Sequence, residues 1–174
     1  MSDSWINIAG RVYAVTGGSS GIGKVIVEEL LNNEAIVYNA DLNEGDLKHE
    51  NLHFVRTDVT NATAVNELVE QIIVEQHKID GLVNNAGINL PRLLADVSVP
   101  HGKYEFTEGD FEKMIAVNVK SVFLVSQAVT HQFEKQNYGV IINMSSEAGL
   151  EGSQGQSVYS ATKGAINGFT RSWA

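Results

Sequence analysis

The chain carries a tyrosine, a lysine and a serine at a spacing that would suit one proton-transfer site. Tyr159 and Lys163 stand four residues apart, and Ser146 precedes Tyr159 by 13 residues. On a helix, positions four apart share a face, so the Lys163 ammonium can lie beside the Tyr159 ring. A nearby positive charge lowers the pKa of a phenol from its ordinary value of about 10. The spacing therefore indicates a tyrosine general acid or base, although the pair alone also fits an exposed helix surface.

A glycine-rich turn follows a short strand-like run near the start of the chain. The run at residues 11–15 leads into TGGSSGIG, residues 16–23, and an apolar helix-like pattern comes next. This order is typical of a dinucleotide site, in which Gly17 turns the chain, Gly21 admits the diphosphate and Gly23 packs helix against strand. The free amides of the helix start then face the anion. A glycine-rich stretch alone also fits a flexible loop, but its placement favours the nucleotide site.

An aspartate, Asp41, ends a second apolar run 18 residues after Gly23. A dinucleotide fold places its ribose-binding carboxylate at about this distance, so we expect Asp41 to accept hydrogen bonds from the adenosine ribose. A 2′-phosphate would meet like charge there, and Ser19 and Ser20 of the glycine turn offer no cation to compensate. These residues favour NAD over NADP. The alternative is that Asp41 only begins the turn DLNEGD.

Five short motifs occur in the order that one enzyme family uses. They are TGGSSGIG, NNAG at residues 84–87, AVNVK, NMSSE and YSATK. Together they resemble the short-chain dehydrogenase/reductase family from about Arg11 to the last residue. The family spacing selects Ser146 over Ser145 as the catalytic serine. The catalytic tetrad that the resemblance implies comprises Asn118, Ser146, Tyr159 and Lys163.

Each member of this tetrad has an implied role in hydride transfer between an alcohol and a nicotinamide. Tyr159 removes or returns the alcohol proton, while Ser146 hydrogen-bonds the same oxygen. Lys163 lowers the tyrosine pKa and holds the nicotinamide ribose. Asn118, in the middle of an apolar helical pattern, opens a water path to the lysine. Its alternative is a buried amide bonded to neighbouring backbone.

The resemblance also implies which residues contact NAD. Asp58 and Val59 flank the adenine, and NNAG supports both the central sheet and the cofactor. The implied cofactor-binding residues are Gly17, Ser19, Ser20, Gly21, Ile22, Gly23, Asp41, Leu42, Asp58, Val59, Asn85, Ala86, Gly87, Tyr159 and Lys163.

Less general stretches narrow the resemblance within the family. NNAGINLPRLLAD, HGKYEFTE and IINMSSEAGLEGSQGQ are similar to bacterial members that oxidise sugar alcohol phosphates. The implied reaction is the NAD-dependent interconversion of sorbitol 6-phosphate and fructose 6-phosphate. The alternatives are another polyol or sugar-acid dehydrogenase, and a noncatalytic NAD-binding fragment that senses cofactor or serves as a structural partner.

A long segment after NNAG, residues 88–108, holds the candidate substrate cations. A sugar phosphate needs positive charge for binding. The basic residues of this segment are Arg92, His101 and Lys103. Three carboxylates in the same segment make an ordinary solvated loop the alternative interpretation. Glu147, directly after the candidate serine, could bind a polyol hydroxyl or face solvent.

Composition and charge exclude several classes of function. The 174 residues include no cysteine, which excludes disulfides and thiolate metal sites, and the five histidines lack ligand spacing, so we expect no metal. A formal charge of -9 opposes nucleic acid as a partner. No apolar run reaches the roughly 18 residues of a membrane span, and the opening MSDSWINIAGR lacks a signal segment. These features favour a cytoplasmic protein that binds a small-molecule substrate.

The order of strand-like and helix-like runs predicts an α/β fold. Strand candidates are residues 11–15, 35–40, 52–56, 81–84 and 139–144, and the clearest helix is 62–76. Such alternation predicts a doubly wound parallel sheet of Rossmann type, in one domain over 1–174, with the active site at the carboxyl ends of the strands. The short polar connection between the second and third strands predicts a weak or absent helix.

The last helical pattern, TKGAINGFTRSWA, reaches Ala174 with no Gly or Pro after it. By resemblance, the family's sixth and seventh strands and much of a dimer or tetramer interface are missing. We therefore expect an incomplete family member, with an uncovered sheet edge at residues 139–144 and poor activity as an isolated species.

Overall fold

The computed structural model describes residues 7–99 and 101–174, in which strands and helices alternate. The described strands are β1 (Val12–Thr16), β2 (Ile36–Asp41), β3 (Leu52–Arg56), β4 (Gly81–Asn84) and β5 (Val140–Asn143). The described helices are α1 (Gly21–Asn32), α2 (Ala62–Gln76), α3 (Glu108–Ile115), α4 (Ser121–Gln136), α5 (Ala148–Glu151) and α6 (Ser157–Trp173). A π-helical segment, Ala116–Lys120, links α3 to α4 along the chain.

These residues divide into two compact units. The first unit contains residues 7–86 and 123–142, and the second contains 87–122 and 143–174. The first unit holds the glycine turn and most of the sheet, whereas the second holds all four residues of the implied tetrad. The single domain over 1–174 stays a prediction. Part of the opening segment, residues 1–6, lies outside the described residues. So does Pro100 of residues 88–108, which we call the substrate segment because it holds the candidate substrate cations.

The described strands form a sheet in the order β3-β2-β1-β4-β5. β1 pairs in parallel with β2 on one side and with β4 on the other, and β3 pairs in parallel with β2. The strand order therefore changes direction beside β1, where a doubly wound sheet opens a crevice for ligands. This confirms the Rossmann-type fold that the sequence predicts.

The strand boundaries differ slightly from the predicted ones. β3, β4 and α2 occupy the predicted residues, while β1 and β2 begin and end one residue later. The ladder continues through the polar residues Thr16 and Asp41, which an apolar pattern excludes. β5 is one residue shorter at each end than predicted. At one end Gly139 packs against the Phe133 ring, and at the other the Met144 carbonyl accepts a hydrogen bond from the Lys163 ammonium instead of pairing with a strand.

The core of the first unit joins the sheet to α2 and α4. Its members include apolar side chains whose exposed fraction is 1% or less, and they come from α2, from α4 and from the central strands. These are Val12, Ala14, Leu82, Val65, Leu68, Ile72, Val125 and Val129. Burial of this apolar face fixes α2 against the sheet, as its three- and four-residue periodicity predicts.

The connection from β2 to β3, residues 42–51, has no helix in its described residues, as predicted. We call it the cover segment because it folds back on the glycine turn. Ser19 Oγ donates to the Asn43 carbonyl at 2.6 Å, and the Lys24 ammonium pairs with the Asp46 carboxylate at 2.6 Å. A cavity of about 460 Å³ lies among this segment, the glycine turn and the β3 face.

The second unit is organised around α6, which contacts α5, the π segment and α3. Gly149 of α5 lies so close to α6 that a Cβ there would come within 2.6 Å of the Lys163 carbonyl carbon. At the start of α3, Thr107 and Asp110 form a reciprocal capping box. This cap ends the substrate segment at Thr107, so that Glu108 is already helical rather than part of the loop.

β5 forms one edge of the described sheet, and two of its apolar side chains reach solvent. Val140 is 57% exposed and Ile142 is 50% exposed.

Among the residues that the structure describes, no helix combines the length and apolarity that crossing a bilayer requires.

Candidate active site

The glycine turn, residues 16–23, leaves the carboxyl end of β1 and enters α1. Gly17 and Gly21 have φ angles of 66° and 54°, in the left-handed region that favours glycine. A Cβ at Gly23 would overlap the Gly17 carbonyl oxygen and the side-chain nitrogen of Asn85. Position 23 therefore accepts only glycine without rearrangement, which agrees with its predicted packing role.

The start of α1 differs from the start of α2 in its capping. Ser20 is the N-cap residue, and its side chain makes no capping hydrogen bond within the described residues. At the start of α2, by contrast, Asn61 accepts from the amides of Thr63 and Ala64. Ile22, in the first turn of α1, is 65% exposed. Open amides at the positive end of a helix dipole suit an anion such as a diphosphate.

Asn39 of β2 holds the glycine turn in place. Its Oδ1 accepts from the Gly18 amide at 2.9 Å, and its Nδ2 donates to Ser19 Oγ at 2.9 Å. The side chain is only 4% exposed. Asn39 has no role in the sequence prediction, because it lies inside an apolar run and its partners are about 20 residues away. An asparagine inside an apolar strand run is expected to be buried, and a buried amide needs hydrogen-bond partners. This requirement was the available signal that Asn39 bonds another segment.

The Asp41 carboxylate contacts both the glycine turn and its own turn. Its Oδ2 accepts from the Ser19 amide at 3.1 Å, while Oδ1 accepts from Leu42 at 2.7 Å and Asn43 at 3.3 Å. The Oδ1 contacts are those of the alternative, in which Asp41 begins a turn. An ionised carboxylate offers about four acceptor sites, so room remains for a ribose hydroxyl. Ribose binding by Asp41 stays a prediction.

The residues predicted to flank the adenine follow β3. Asp58 Oδ1 accepts from the amide of Thr60 at 2.9 Å and from its hydroxyl at 2.7 Å. The Val59 side chain is 8% exposed and packs into the core of the first unit. Val59 would therefore meet an adenine mainly through its backbone.

The NNAG motif fastens β4 to the glycine turn. Asn85 Nδ2 donates to the carbonyls of Thr16 at 3.1 Å and Gly17 at 2.9 Å. The Ala86 amide donates to Thr16 Oγ1 at 3.0 Å, and buried Asn84 donates to Ser126 Oγ at 2.9 Å. These bonds fit the predicted support of the central sheet. The last residue of the motif, Gly87, begins the second unit.

In the second unit, α6 brings Tyr159 and Lys163 together. The Lys163 ammonium lies 5.6 Å from the centroid of the Tyr159 ring, as the four-residue spacing predicts. The same ammonium donates to the Met144 carbonyl at 2.6 Å. Burial lowers the pKa of Lys163 below its usual value. The contact with the Met144 carbonyl thus fixes the Lys163 cation beside the phenol ring.

The two adjacent serines have different partners. Ser145 Oγ donates to the Lys163 carbonyl at 3.1 Å, so its proton serves the backbone of α6. Ser146 Oγ accepts from the Ala148 amide at 3.2 Å, and its own proton meets no acceptor in the part of the chain that is described. The Ser146 hydroxyl therefore remains able to donate to a substrate oxygen. Glu147, next along the chain, is exposed to solvent.

Asn118 lies in the centre of the π segment and is 2% exposed. Its Oδ1 accepts from the Ile88 amide at 2.8 Å, and its Nδ2 donates to the Ile88 carbonyl at 2.8 Å and to Thr162 Oγ1 at 3.1 Å. This is the backbone-bonded amide that formed the alternative to a water path. It also ties the π segment to α6 beside Lys163. Single π turns occur frequently at functional sites, and a 3.6-residue periodicity does not reveal them.

The three candidate phosphate cations have separate local partners. The Arg92 guanidinium donates to the Pro91 carbonyl at 2.9 Å, and Lys103 lies 4.8 Å from the Tyr104 ring centroid. His101 lies 3.6 Å from Glu105, and its side chain is 93% exposed. These contacts are those of a solvated mixed-charge loop, and phosphate binding by the three residues stays a prediction.

Comparison with known proteins places these features in a family. Residues 11–174 match the short chain dehydrogenase family. The sorbitol-6-phosphate 2-dehydrogenase of Klebsiella pneumoniae is 53% identical over 174 residues, which cover 99% of this chain and 65% of that protein. A cyclopentanol dehydrogenase of Comamonas testosteroni is 35% identical, over 94% of this chain and 66% of that protein.

Solved structures share the same fold. The crystal structure of gox2181 has a TM-score of 0.86 and 30% identity, over 97% of this chain and 66% of the other. A short chain dehydrogenase from Leptospira borgpetersenii with bound NAD+ also has a TM-score of 0.86, at 24% identity. The chain thus spans 65% to 66% of the length of these relatives. By its motifs, its fold and its match over residues 11–174, the chain belongs to the short-chain dehydrogenase family.

Proposed function

We propose that this chain is an NAD-dependent oxidoreductase that interconverts sorbitol 6-phosphate and fructose 6-phosphate. The observation that carries the proposal is the Lys163 ammonium lying 5.6 Å from the Tyr159 ring centroid. The identity of 53% to the Klebsiella enzyme supports the choice of substrate. The tetrad alone supports only the wider class of alcohol and ketone substrates.

The residues of the first unit suit a nicotinamide dinucleotide. The open amides of α1 and the glycine at position 23 would receive the diphosphate, and Asp41 has an acceptor site for the ribose. When bound, the cofactor supplies the hydride acceptor in oxidation and the hydride donor in reduction. Backbone amides, rather than positive side chains, would therefore bind the diphosphate of the cofactor. A formal charge of -9 is compatible with such binding, because backbone amides do not enter a charge count.

Residues of the second unit would transfer the hydroxyl proton of the substrate and stabilise the charge on its oxygen. In alcohol oxidation, the Tyr159 phenolate takes the hydroxyl proton as the carbon loses its hydride. Ser146 donates a hydrogen bond to the same oxygen and stabilises its developing charge. The Lys163 ammonium lies beside the ring, where it would stabilise negative charge that develops on the Tyr159 oxygen. In reduction, Tyr159 returns the proton to the carbonyl oxygen.

Steady oxidation of NADH tests this proposal across a panel of ketones. The panel contains fructose 6-phosphate, fructose, a keto sugar acid and cyclopentanone, each mixed with the 174-residue chain and followed at the NADH absorbance. We expect fructose 6-phosphate to give the highest kcat/KM. A preference for cyclopentanone or the sugar acid would move the chain to another substrate class, and NADH binding without turnover on any ketone would favour a noncatalytic binding role.

The cofactor preference is predicted to depend on Asp41. We expect NADH to bind at least about tenfold more tightly than NADPH, since about 1.4 kcal/mol of charge repulsion gives this ratio. Asp41→Ala should narrow the gap, whereas Glu50→Ala, an exposed carboxylate of the cover segment, should leave it unchanged. Competitive titration measures both ratios. Equal affinities in the parent chain would mean that Asp41 serves its own turn only.

The phosphate preference is predicted to depend on the substrate segment. If Arg92, His101 or Lys103 binds the phosphate, fructose 6-phosphate should exceed fructose in kcat/KM, and removing one of these charges should reduce that ratio by about tenfold. Lys113→Met on α3 is the matched control for loss of an exposed cation. Unchanged ratios in Arg92→Met, His101→Gln and Lys103→Met would identify the segment as a solvated loop.

The remaining expectations concern the setting of the protein. We propose that the protein, at the family's full length, is a cytoplasmic dimer or tetramer that acts on small molecules and binds no nucleic acid. The charge of -9 supports the last point. Light scattering at several concentrations on a version extended to the family's full length measures the oligomeric state, and a monomer at all concentrations would contradict the proposal.

A further inference from the structure

Two amide side chains from separate segments of the second unit form a pair that the tetrad does not use. Asn89 Nδ2 donates to Gln156 Oε1 at 2.9 Å. The backbones of the two segments are also joined, because the Arg92 amide donates to the Gly155 carbonyl at 2.8 Å. The two segments are therefore joined by a backbone hydrogen bond as well as by the bond between the two side chains.

The pair lies next to the tetrad along both segments. Asn89 follows Ile88, whose amide and carbonyl are both bonded to the side chain of Asn118. Gln156 is the N-cap residue of α6, and Tyr159 is the third residue of that helix. Side chains at the N-cap and third positions of a helix face each other, as they do in a capping box. Gln156 makes no capping bond within the described residues, so its amide is turned to Asn89 instead.

The chemistry of the pair follows from counting donors and acceptors. One amide N–H and one carbonyl oxygen are used between the two side chains, which leaves Asn89 Oδ1 as an acceptor and Gln156 Nε2 as a donor. Exchanging nitrogen and oxygen in both amides would swap these roles but would still leave one of each. Asn89 is exposed and Gln156 is half-buried, so a ligand can reach the unused atoms.

A neutral donor beside a neutral acceptor fits a hydroxyl group, which both donates and accepts. It offers little to a phosphate, which needs cations, or to an alkyl chain, which needs an apolar wall. We propose that the Asn89–Gln156 pair binds a hydroxyl on a carbon adjacent to the reacting carbon, and that it thereby selects polyols and ketoses over simple alcohols. This inference rests on the proposed function and names a substrate-binding pair for it.

The experiment compares hydroxyl removal from the substrate with removal of the amides. Fructose 6-phosphate, 1-deoxyfructose 6-phosphate and 3-deoxyfructose 6-phosphate are reduced with NADH by the parent chain, Asn89→Leu and Gln156→Leu. In the parent we expect kcat/KM for one of the deoxy sugars to be more than about tenfold below that for fructose 6-phosphate. This deoxy sugar lacks the hydroxyl that would bond the free atoms of the two amides. In either variant that ratio should fall to within about threefold, since the hydroxyl no longer has a partner.

Gln154→Leu is the matched control, an exposed amide two residues before Gln156. It should keep the parent ratio. A purely structural pair would make the variants lose activity equally on all three sugars, and that result would overturn the inference. Parent ratios near one for both deoxy sugars would overturn it as well, while leaving the proposed function intact. If the parent chain reduces none of the three sugars, the proposed function fails and the pair's role fails with it.

Discussion

Tyr159→Phe is expected to lower turnover by at least about 100-fold while NADH affinity stays within about twofold of the parent. General acid or base catalysis contributes about this factor, and the substitution removes only the phenolic oxygen. The ring that lies beside the Lys163 ammonium is retained, so the packing of α6 should persist. Stopped-flow turnover and fluorescence titration with NADH separate the two effects.

Tyr138→Phe is the matched control for this experiment. Tyr138 is 47% exposed and lies in the first unit, before β5. Its loss should leave turnover unchanged. Activity of Tyr159→Phe near that of the parent would remove Tyr159 from the chemistry. An equal fall in NADH affinity and turnover would instead make Tyr159 a cofactor-binding residue.

Gly23→Ala is expected to weaken NADH binding by between about 5-fold and 100-fold. The new Cβ would overlap the Gly17 carbonyl oxygen and the Asn85 side chain, so the glycine turn must move. Overpacking of this kind costs about 1 to 3 kcal/mol, and each 1.4 kcal/mol is a factor of about ten in affinity. Isothermal titration with NADH measures the change directly.

Gly168→Ala is the matched control, because the same substitution at this position should leave NADH affinity unchanged. Gly168 lies in α6, and a Cβ there meets nothing within 4 Å. Alanine should stabilise the helix by about 0.5 to 1 kcal/mol without changing NADH affinity. An unchanged dissociation constant in Gly23→Ala would show that the turn tolerates a side chain and does not hold the diphosphate as described.

The fold was largely predictable because the pattern of apolar residues is strong and local. α2 occupies the predicted residues 62–76, since its apolar residues recur every three or four positions. The missing helix between β2 and β3 was also predictable from a short polar connection. The boundaries of β1 and β2 were less accurate, because Thr16 and Asp41 extend the ladder beyond the apolar residues.

The site was predictable where a spacing within one element creates the contact. Tyr159 and Lys163 share a face of α6, so four residues of separation were enough to bring them together. The π segment around Asn118 was not predictable, because nothing in an apolar periodicity marks one inserted residue. The bonds of Asn39 to the glycine turn and of Asn89 to Gln156 join residues far apart in sequence, and only the folded chain reveals them.

We propose that the chain transfers a hydride to the C2 carbonyl of a keto sugar phosphate. The most direct test is reduction of fructose 6-phosphate with NADH that carries deuterium in the transferred position at C4, followed by mass spectrometry and NMR of the product. We predict a hexitol phosphate with one deuterium bonded to C2, formed at least about 100-fold more slowly by Tyr159→Phe under the same conditions. Recovery of unchanged fructose 6-phosphate, or of a product with no deuterium at C2, would contradict the proposed function.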